Sequence, residues 1–236
     1  MIEPRQYESC RSVFGEYGIA LTEEQYQKLR IYEQMLVDES SRQNVTAVRE
    51  PAEIWIRHFL DAVYLLRFLP EQGDLLDMGT GGGIPAIPLA IMRPKLHITM
   101  LDSEHNKIAF CTAVIERQGL NASAVTGRAE ELAHDPVYRE QYDVVVSRAM
   151  ANGSMLTELS VPFLKVNGTL ISMKGKQYDP ETERFASAAD ILGCRCEEPI
   201  GYSLYGEQKY LILLRKCTAT PAQYPRRFAK IKRSPL

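Results

Sequence analysis

The sequence predicts an α/β fold, a doubly wound and mostly parallel sheet preceded by an N-terminal helical extension. From Asp74 onward, short apolar runs alternate with helix-length amphipathic segments, the pattern of strands joined by crossover helices. Before Asp74, apolar residues recur at three- and four-residue steps, as one buried helix stripe requires. The 236 residues are 45% hydrophobic, enough apolar mass for one large domain or one domain with an appended subdomain. The expected organisation is a helical extension over 1–70, a sheet domain over 71–216 and a basic tail over 217–236.

Thr22 followed by Gln25 fits a capping box, and Tyr26, Leu29, Tyr32 and Leu36 form the stripe of the first predicted helix. After a polar break at Ser40 to Thr46, Pro51 suits a helix first turn. Ile56, Phe59, Leu60, Val63 and Leu66 then make a second stripe ending at Pro70. Strands are expected at Asp74 to Met78, His97 to Leu101, Ser123 to Thr126, Asp143 to Val146, Thr169 to Met173, near Cys194 to Tyr202, and at Tyr210 to Leu214. Ile84 to Met92 and Glu104 to Gln118 read as crossover helices, and the chain is expected to lose regular structure at Pro221 and Pro225.

No apolar run approaches the roughly 18 residues of a membrane span, and the N-terminal segment does not read as a signal peptide, so a cytoplasmic protein is expected. Five cysteines at irregular spacing suit free thiols, and Cys194-x-Cys196 lacks the second ligand pair a zinc site needs, so no metal is expected. The net charge of -2 hides an asymmetry. After Glu207 there are eight basic residues and no acid, while the 20 basic and 30 acidic residues before them leave -10.

The strongest local signal is Leu75-Leu76-Asp77-Met78-Gly79-Thr80-Gly81-Gly82-Gly83-Ile84-Pro85: a buried strand, an acid, a glycine cluster and a helix start. Glycines there let the backbone turn sharply and let a ligand approach main-chain N–H groups. A dinucleotide fingerprint beginning at Gly79 needs glycine at position 84, where Ile84 stands; beginning at Gly81 it needs one at position 86, where Ala86 stands. Asp77, Gly79, Gly81 and Gly83 instead fit acid-x-Gly-x-Gly-x-Gly, the pattern of class I S-adenosylmethionine methyltransferases. Asp102, at the end of the second strand, is placed to bind ribose hydroxyls, and Gly127-Arg128-Ala129-Glu130 follows the third strand where such folds contact adenine. Each also has a plainer role open to it, Asp102 as a cap of the helix starting at Glu104 among them.

Methyl transfer from a sulfonium is an in-line displacement that needs a positioned nucleophile. Ser147-Arg148-Ala149-Met150 after the fourth strand is neither the Asn/Asp-Pro-Pro-aromatic loop that serves exocyclic amines nor a Pro-Cys for attack on a pyrimidine. A ring nitrogen such as guanine N7 has its lone pair free and needs neither. Arg148 stands at the C-terminal end of a central strand, where ligands bind in such sheets, and is read as a substrate or cofactor contact; pairing with a nearby carboxylate is the alternative.

The chain closely resembles the bacterial small-subunit ribosomal RNA guanine-N7 methyltransferases, once called glucose-inhibited division protein B. The glycine loop with Ile87-Pro88-Leu89-Ala90 carries the resemblance, together with Asn44-Val45-Thr46-Ala47, Trp55-Ile56-Arg57-His58-Phe59-Leu60-Asp61, Leu101-Asp102-Ser103, Gly127-Arg128-Ala129-Glu130, Ser147-Arg148-Ala149, Met173-Lys174-Gly175 and Tyr224-Pro225-Arg226-Arg227. It implies a Rossmann-like methyltransferase sheet and N7 methylation of one guanine in 16S ribosomal RNA, with S-adenosylmethionine as donor and S-adenosylhomocysteine as product. The expected cofactor contacts are Asp77, Gly79, Gly81, Gly83, Ile84, Asp102, Ser103, Ala129, Glu130 and Arg148, the last also catalytic. Two positions depart from the family pattern: Ile84 stands where Phe is more frequent, and Ala86 where Gly is. His58 and Asp61, one turn apart on the second helix, read as a packing pair or as catalytic residues.

An RNA substrate makes sense of the basic tail, with Arg226, Arg227, Lys230, Lys232 and Arg233 expected on phosphates and Tyr224 and Phe228 on an unpaired base. The expected partner is 16S ribosomal RNA or the small ribosomal subunit, met by a monomer, with no membrane. On this reading, truncation after Cys217 abolishes RNA methylation and spares cofactor binding. Two other classes stay open: an RNA-binding protein of this fold without turnover, and an NAD-dependent oxidoreductase, which Ile84 disfavours.

Overall fold

The computed structural model describes residues 2–41, 45–148 and 150–236; Asn44 and Ala149, both within motifs named above, lie outside the described residues. Among the described residues eight strands form one sheet: β1 (Gly73–Met78), β2 (Leu96–Asp102), β3 (Ala122–Thr126), β4 (Tyr142–Arg148), β5 (Leu164–Lys174), β6 (Cys194–Cys196), β7 (Ile200–Leu204) and β8 (Glu207–Lys216). Their order is β3-β2-β1-β4-β5-β8-β6, with β7 also on β8. Strands β1 to β5 run parallel and β8 enters antiparallel beside β5. The chain winds outward from β1 through β2 to β3 and then returns to β4 on the other side of β1. That reversal opens a crevice at the C-terminal ends of β1 and β4, where ligands bind in open α/β sheets.

Every expected strand is present, and one is divided. The apolar stretch near Cys194 to Tyr202 forms two short strands on different halves of β8, Cys194 opposite Lys216 and Ile200 opposite Leu211. Pro199 stands at the break, where its missing N–H interrupts the ladder.

The helix Glu23–Ser40 begins with the expected capping box: Thr22 accepts from the Gln25 N–H while the Gln25 side chain accepts from the Thr22 N–H. Its stripe of Tyr26, Leu29, Tyr32 and Leu36 is buried. A helix at Tyr7–Glu16, which sequence periodicity did not single out, packs beside it. Buried Glu33 joins the first helical stretch to the second, accepting from Arg30 at 2.6 Å and from the Trp55 indole N–H at 2.6 Å. The second stretch runs from Pro51 to Phe68 as expected but is not uniform: an α turn gives way to a π-helical segment at Trp55–Leu60, then α again at Asp61–Val63 and 3-10 at Tyr64–Phe68. His58 lies in the π segment, a form concentrated at functional sites.

Two apolar cores flank the sheet. The N-terminal helices share one with the crossover helices Ala86–Met92 and His105–Gln118. The other face is covered by the helices Gly153–Ser160 and Phe185–Ile191 and by Ile231 of the tail.

The tail differs from the expectation of irregular structure past Pro221 and Pro225. Segment 217–227 lacks helix and strand, but a helix follows at Phe228–Arg233 with Ile231 fully buried. Arg139 holds the segment, donating to the carbonyls of Tyr224 at 2.9 Å and Thr220 at 3.0 Å, and a His134 ring nitrogen bonds the Pro225 carbonyl at 2.8 Å. Sequence proximity cannot reveal these bonds, which join residues more than 80 positions apart.

Four of the eight late basic residues are engaged by acids elsewhere in the protein: Lys209 by Asp61, Arg215 by Glu197, Lys216 by Glu140 and Arg226 by Glu158. Lys216 is wholly buried, so burial pulls its amine below its ordinary range while the Glu140 hydrogen bond opposes that pull. Arg227, Lys230, Lys232 and Arg233 stay exposed and make no ion pair among the described residues.

Candidate active site

The loop after β1 is tied to its neighbours by backbone bonds. Gly79 and Thr80 donate their N–H groups to the Leu101 carbonyl at 2.8 and 3.0 Å, at the end of β2. The Gly81 N–H donates to Asp102 Oδ2 at 3.0 Å, and Asp102 Oδ1 accepts from the Glu104 N–H at 3.0 Å. Asp102 therefore turns the chain two residues ahead of the helix His105–Gln118, whose N-cap is Glu104 and not Asp102, and it also fixes the glycine loop. Gly79 has a φ of +71°, and a Cβ there would lie 3.2 Å from both Cγ and Sδ of Met150, so conformation and space both call for glycine.

Gly82 serves another purpose. A Cβ on it would lie 2.4 Å from Val45 and 3.2 Å from Leu36, and its carbonyl accepts from the Tyr32 hydroxyl at 2.7 Å. The N-terminal helix thus rests directly on the loop. No spacing rule predicts that contact, which spans 50 positions.

Around this loop opens a cleft of about 360 Å³. Five of the expected cofactor residues line it: Gly79, Asp102, Ser103, Ala129 and Glu130. Gly81, Gly83 and Ile84 shape the loop without lining the cleft, and Asp77 lies wholly buried beneath it. Sequence reading missed Met150 and Leu159 as wall residues and placed Phe228 on RNA, whereas its ring lines this cleft.

Asp77 Oδ2 accepts from the Thr80 hydroxyl at 2.6 Å. Burial raises this carboxyl to about 7, against the lowering effect of the Thr80 hydroxyl and of the Ala86 backbone N–H. A buried carboxyl beneath a glycine loop, charged above neutrality, suits a cationic ligand group. The carboxylates of Asp102 and Glu130 on the wall suit hydroxyls and amino groups. S-adenosylmethionine, with its sulfonium, amino-acid end and adenosine, fits this set of groups.

Arg148 does not line the cleft; it belongs to a second cluster at the end of β4. It donates to His58 Nδ1 at 3.3 Å and to the Arg57 carbonyl at 2.9 Å, and its Nε lies 3.6 Å from Asp61. Asp61 also accepts from the Tyr202 hydroxyl at 2.9 Å and pairs with Lys209 at 3.0 Å. Because arginine only donates, Nδ1 of His58 must accept, which leaves the proton on Nε2, 2.8 Å from the Thr46 hydroxyl. Burial, and then the Arg148 charge, lower the His58 pKa to about 4, so the imidazole is neutral. His58 and Asp61 are thus more than a packing pair: both hold Arg148. The carboxylate partner that sequence reading left open as an alternative for Arg148 is present.

Among the described residues no group of three or more His, Cys, Asp or Glu side chains could hold a metal ion, and no helix is long and apolar enough to cross a membrane. The five cysteines are free.

A family model described as rRNA small subunit methyltransferase G matches residues 25–198. The chain is 38% identical to ribosomal RNA small subunit methyltransferase G of Pelotomaculum thermopropionicum, covering 97% of this chain and 98% of that protein. With the protein of the same name from Oenococcus oeni the identity is 37%, over 87% of each chain. Solved structures of the same fold include the YcgJ protein of Bacillus subtilis, with TM-score 0.54 and 12% identity over 69% of this chain and 100% of that one. A precorrin methyltransferase from Geobacter metallireducens gives TM-score 0.51 and 17% identity over 66% and 88% of the two chains.

Proposed function

The chain belongs to the small-subunit ribosomal RNA methyltransferase G family, and from that premise we propose that it methylates N7 of a guanine in 16S ribosomal RNA, using S-adenosylmethionine. The observation that carries the reading is the pairing of a donor cleft at the ends of β1 to β3 with a preset guanidinium at the end of β4. The donor supplies an electrophilic methyl on a positively charged sulfur. Gly79, Asp102, Ser103, Ala129 and Glu130 hold its adenosine portion, and Asp77, buried beneath the loop, acts on its cationic end through its charge. The first expectation for the tail is narrowed: Arg227, Lys230, Lys232 and Arg233 are the phosphate contacts, and Arg226 acts in the fold.

The second cluster suits a nucleophile that brings its own lone pair. Both nitrogens of His58 are engaged, and Asp61 is held by Tyr202, Lys209 and Arg148, so neither is available as a general base. Guanine N7 needs none. Arg148 is assigned the orientation of the guanine for in-line attack. A protein that only binds RNA has no use for a donor cleft of this kind. Action as a monomer in the cytoplasm forms part of the same proposal.

Incubation of purified protein with labelled donor and small-subunit RNA should place label on a guanine that becomes cleavable after borohydride and aniline treatment. Absence of transfer, or label at an exocyclic amine, would sink the assignment.

The Asp77 carboxyl gives a pH signature. Its pKa of about 7 means that the charged form, which favours a cationic donor, grows as pH rises through neutrality. Donor affinity should therefore fall on acidification below pH 7, by up to about tenfold per unit. Titration calorimetry at several pH values should find that dependence in the native protein and a flat, weaker profile in Asp77→Asn; an equally steep profile in the variant would refute the role.

A further inference from the structure

We propose that Phe228, delivered by the C-terminal tail, is a cofactor-contacting residue that closes the outer side of the donor cleft over the adenosine. The inference rests on the methyltransferase reading above and extends it to a residue outside the sheet.

Phe228 is 37% exposed, one of few large apolar side chains left open to solvent. It lines the donor cleft together with Asp102, Ala129 and Glu130, the residues placed for ribose and adenine. An aromatic ring at the adenosine end offers a face on which a purine can stack. The same ring borders the adjoining cleft beside Glu131, His134 and Arg227.

Its position is held from both sides. Two residues earlier, Arg226 is clamped on Glu158, with Nε to Oε1 at 2.7 Å, Nη2 to Oε2 at 2.5 Å and the backbone N–H to Oε1 at 2.8 Å. Three residues later, Ile231 is fully buried in the core. One helical turn carrying a buried residue on one side and an anchored arginine before it has little freedom to swing. The ring is therefore presented to the cleft at small entropic expense, the condition under which an aromatic contact contributes most to affinity.

Sequence reading assigned Phe228 to an RNA base, and the two assignments separate cleanly by measurement. Calorimetry with S-adenosylhomocysteine should show binding to Phe228→Ala weakened about tenfold, equivalent to ~1.4 kcal/mol, and largely restored in Phe228→Trp. The melting temperature and the KM for RNA should stay near those of the native protein, since the ring is not part of the core. In steady state the KM for the donor should rise with kcat little changed. Unchanged affinity for S-adenosylhomocysteine in Phe228→Ala, or a loss confined to RNA binding, would overturn the proposal. No binding by the native protein would overturn the methyltransferase reading instead.

Discussion

Replacing Arg226 by alanine is expected to destabilise the protein by about 3–5 kcal/mol, because it leaves the Glu158 carboxylate buried without its cation. Glu158 is fully buried, and two side-chain bonds and one backbone bond from Arg226 satisfy it. Only the backbone bond survives the substitution. Equilibrium urea unfolding measures the loss directly. Arg227→Ala is the control: that side chain is exposed and makes no ion pair among the described residues, so its stability should stay within about 0.5 kcal/mol of the native value. Its RNA affinity should fall, with the salt slope reduced by about 0.7–0.9 for one lost phosphate contact. Native stability in Arg226→Ala would show that the ion pair does not hold the tail, and would return Arg226 to the RNA-binding set. The same reasoning changes what truncation after Cys217 tests. It removes Ile231, the Glu158 partner and the Phe228 wall together, so it would impair folding and donor binding along with RNA binding.

Arg148→Lys should lower the rate of methyl transfer by about a hundredfold at saturating donor and RNA, while leaving donor affinity close to native. The guanidinium reaches three acceptors on two elements: His58 Nδ1, the Arg57 carbonyl and Asp61. A lysine carries a single ammonium on a flexible stem and lacks the planar fork that holds such a geometry. Lys209 and Tyr202 still hold Asp61, so the cluster should stay folded. Single-turnover kinetics isolates the transfer step. A transfer rate equal to that of the native protein would remove Arg148 from the chemistry, and a donor affinity lost in parallel would move it to the cofactor.

The parts of this protein written in local sequence were readable, and the parts assembled across it were not. Continuous apolar runs such as Leu75-Leu76 and Val144-Val145-Val146 announce strands buried on both faces, and the structure has them at the centre of the sheet. The glycine loop, Asp102 and Ala129-Glu130 could be placed because a doubly wound sheet puts successive strand ends beside one another. His58 lies in the π-helical segment, Asp61 in the α turn after it, and Arg148 on a strand 90 positions beyond His58, so their meeting follows from packing alone. The tail misled for a related reason. Its charge density resembles that of a free arm, but the acids that neutralise Arg226 and Lys216 are 68 and 76 positions away.

The hydroxyl of Tyr32 on the Gly82 carbonyl also bears on how far such a protein can be divided and recombined. The helix Glu23–Ser40 supplies a bond to the donor loop and, through Leu36, occupies the space that only a glycine at position 82 leaves. Residues 71–216 are therefore not a portable module. A chimera that joins them to the N-terminal helices of a distant relative must carry side chains at positions 36 and 45 that fit the residue at 82, exchanged together as one unit of inheritance.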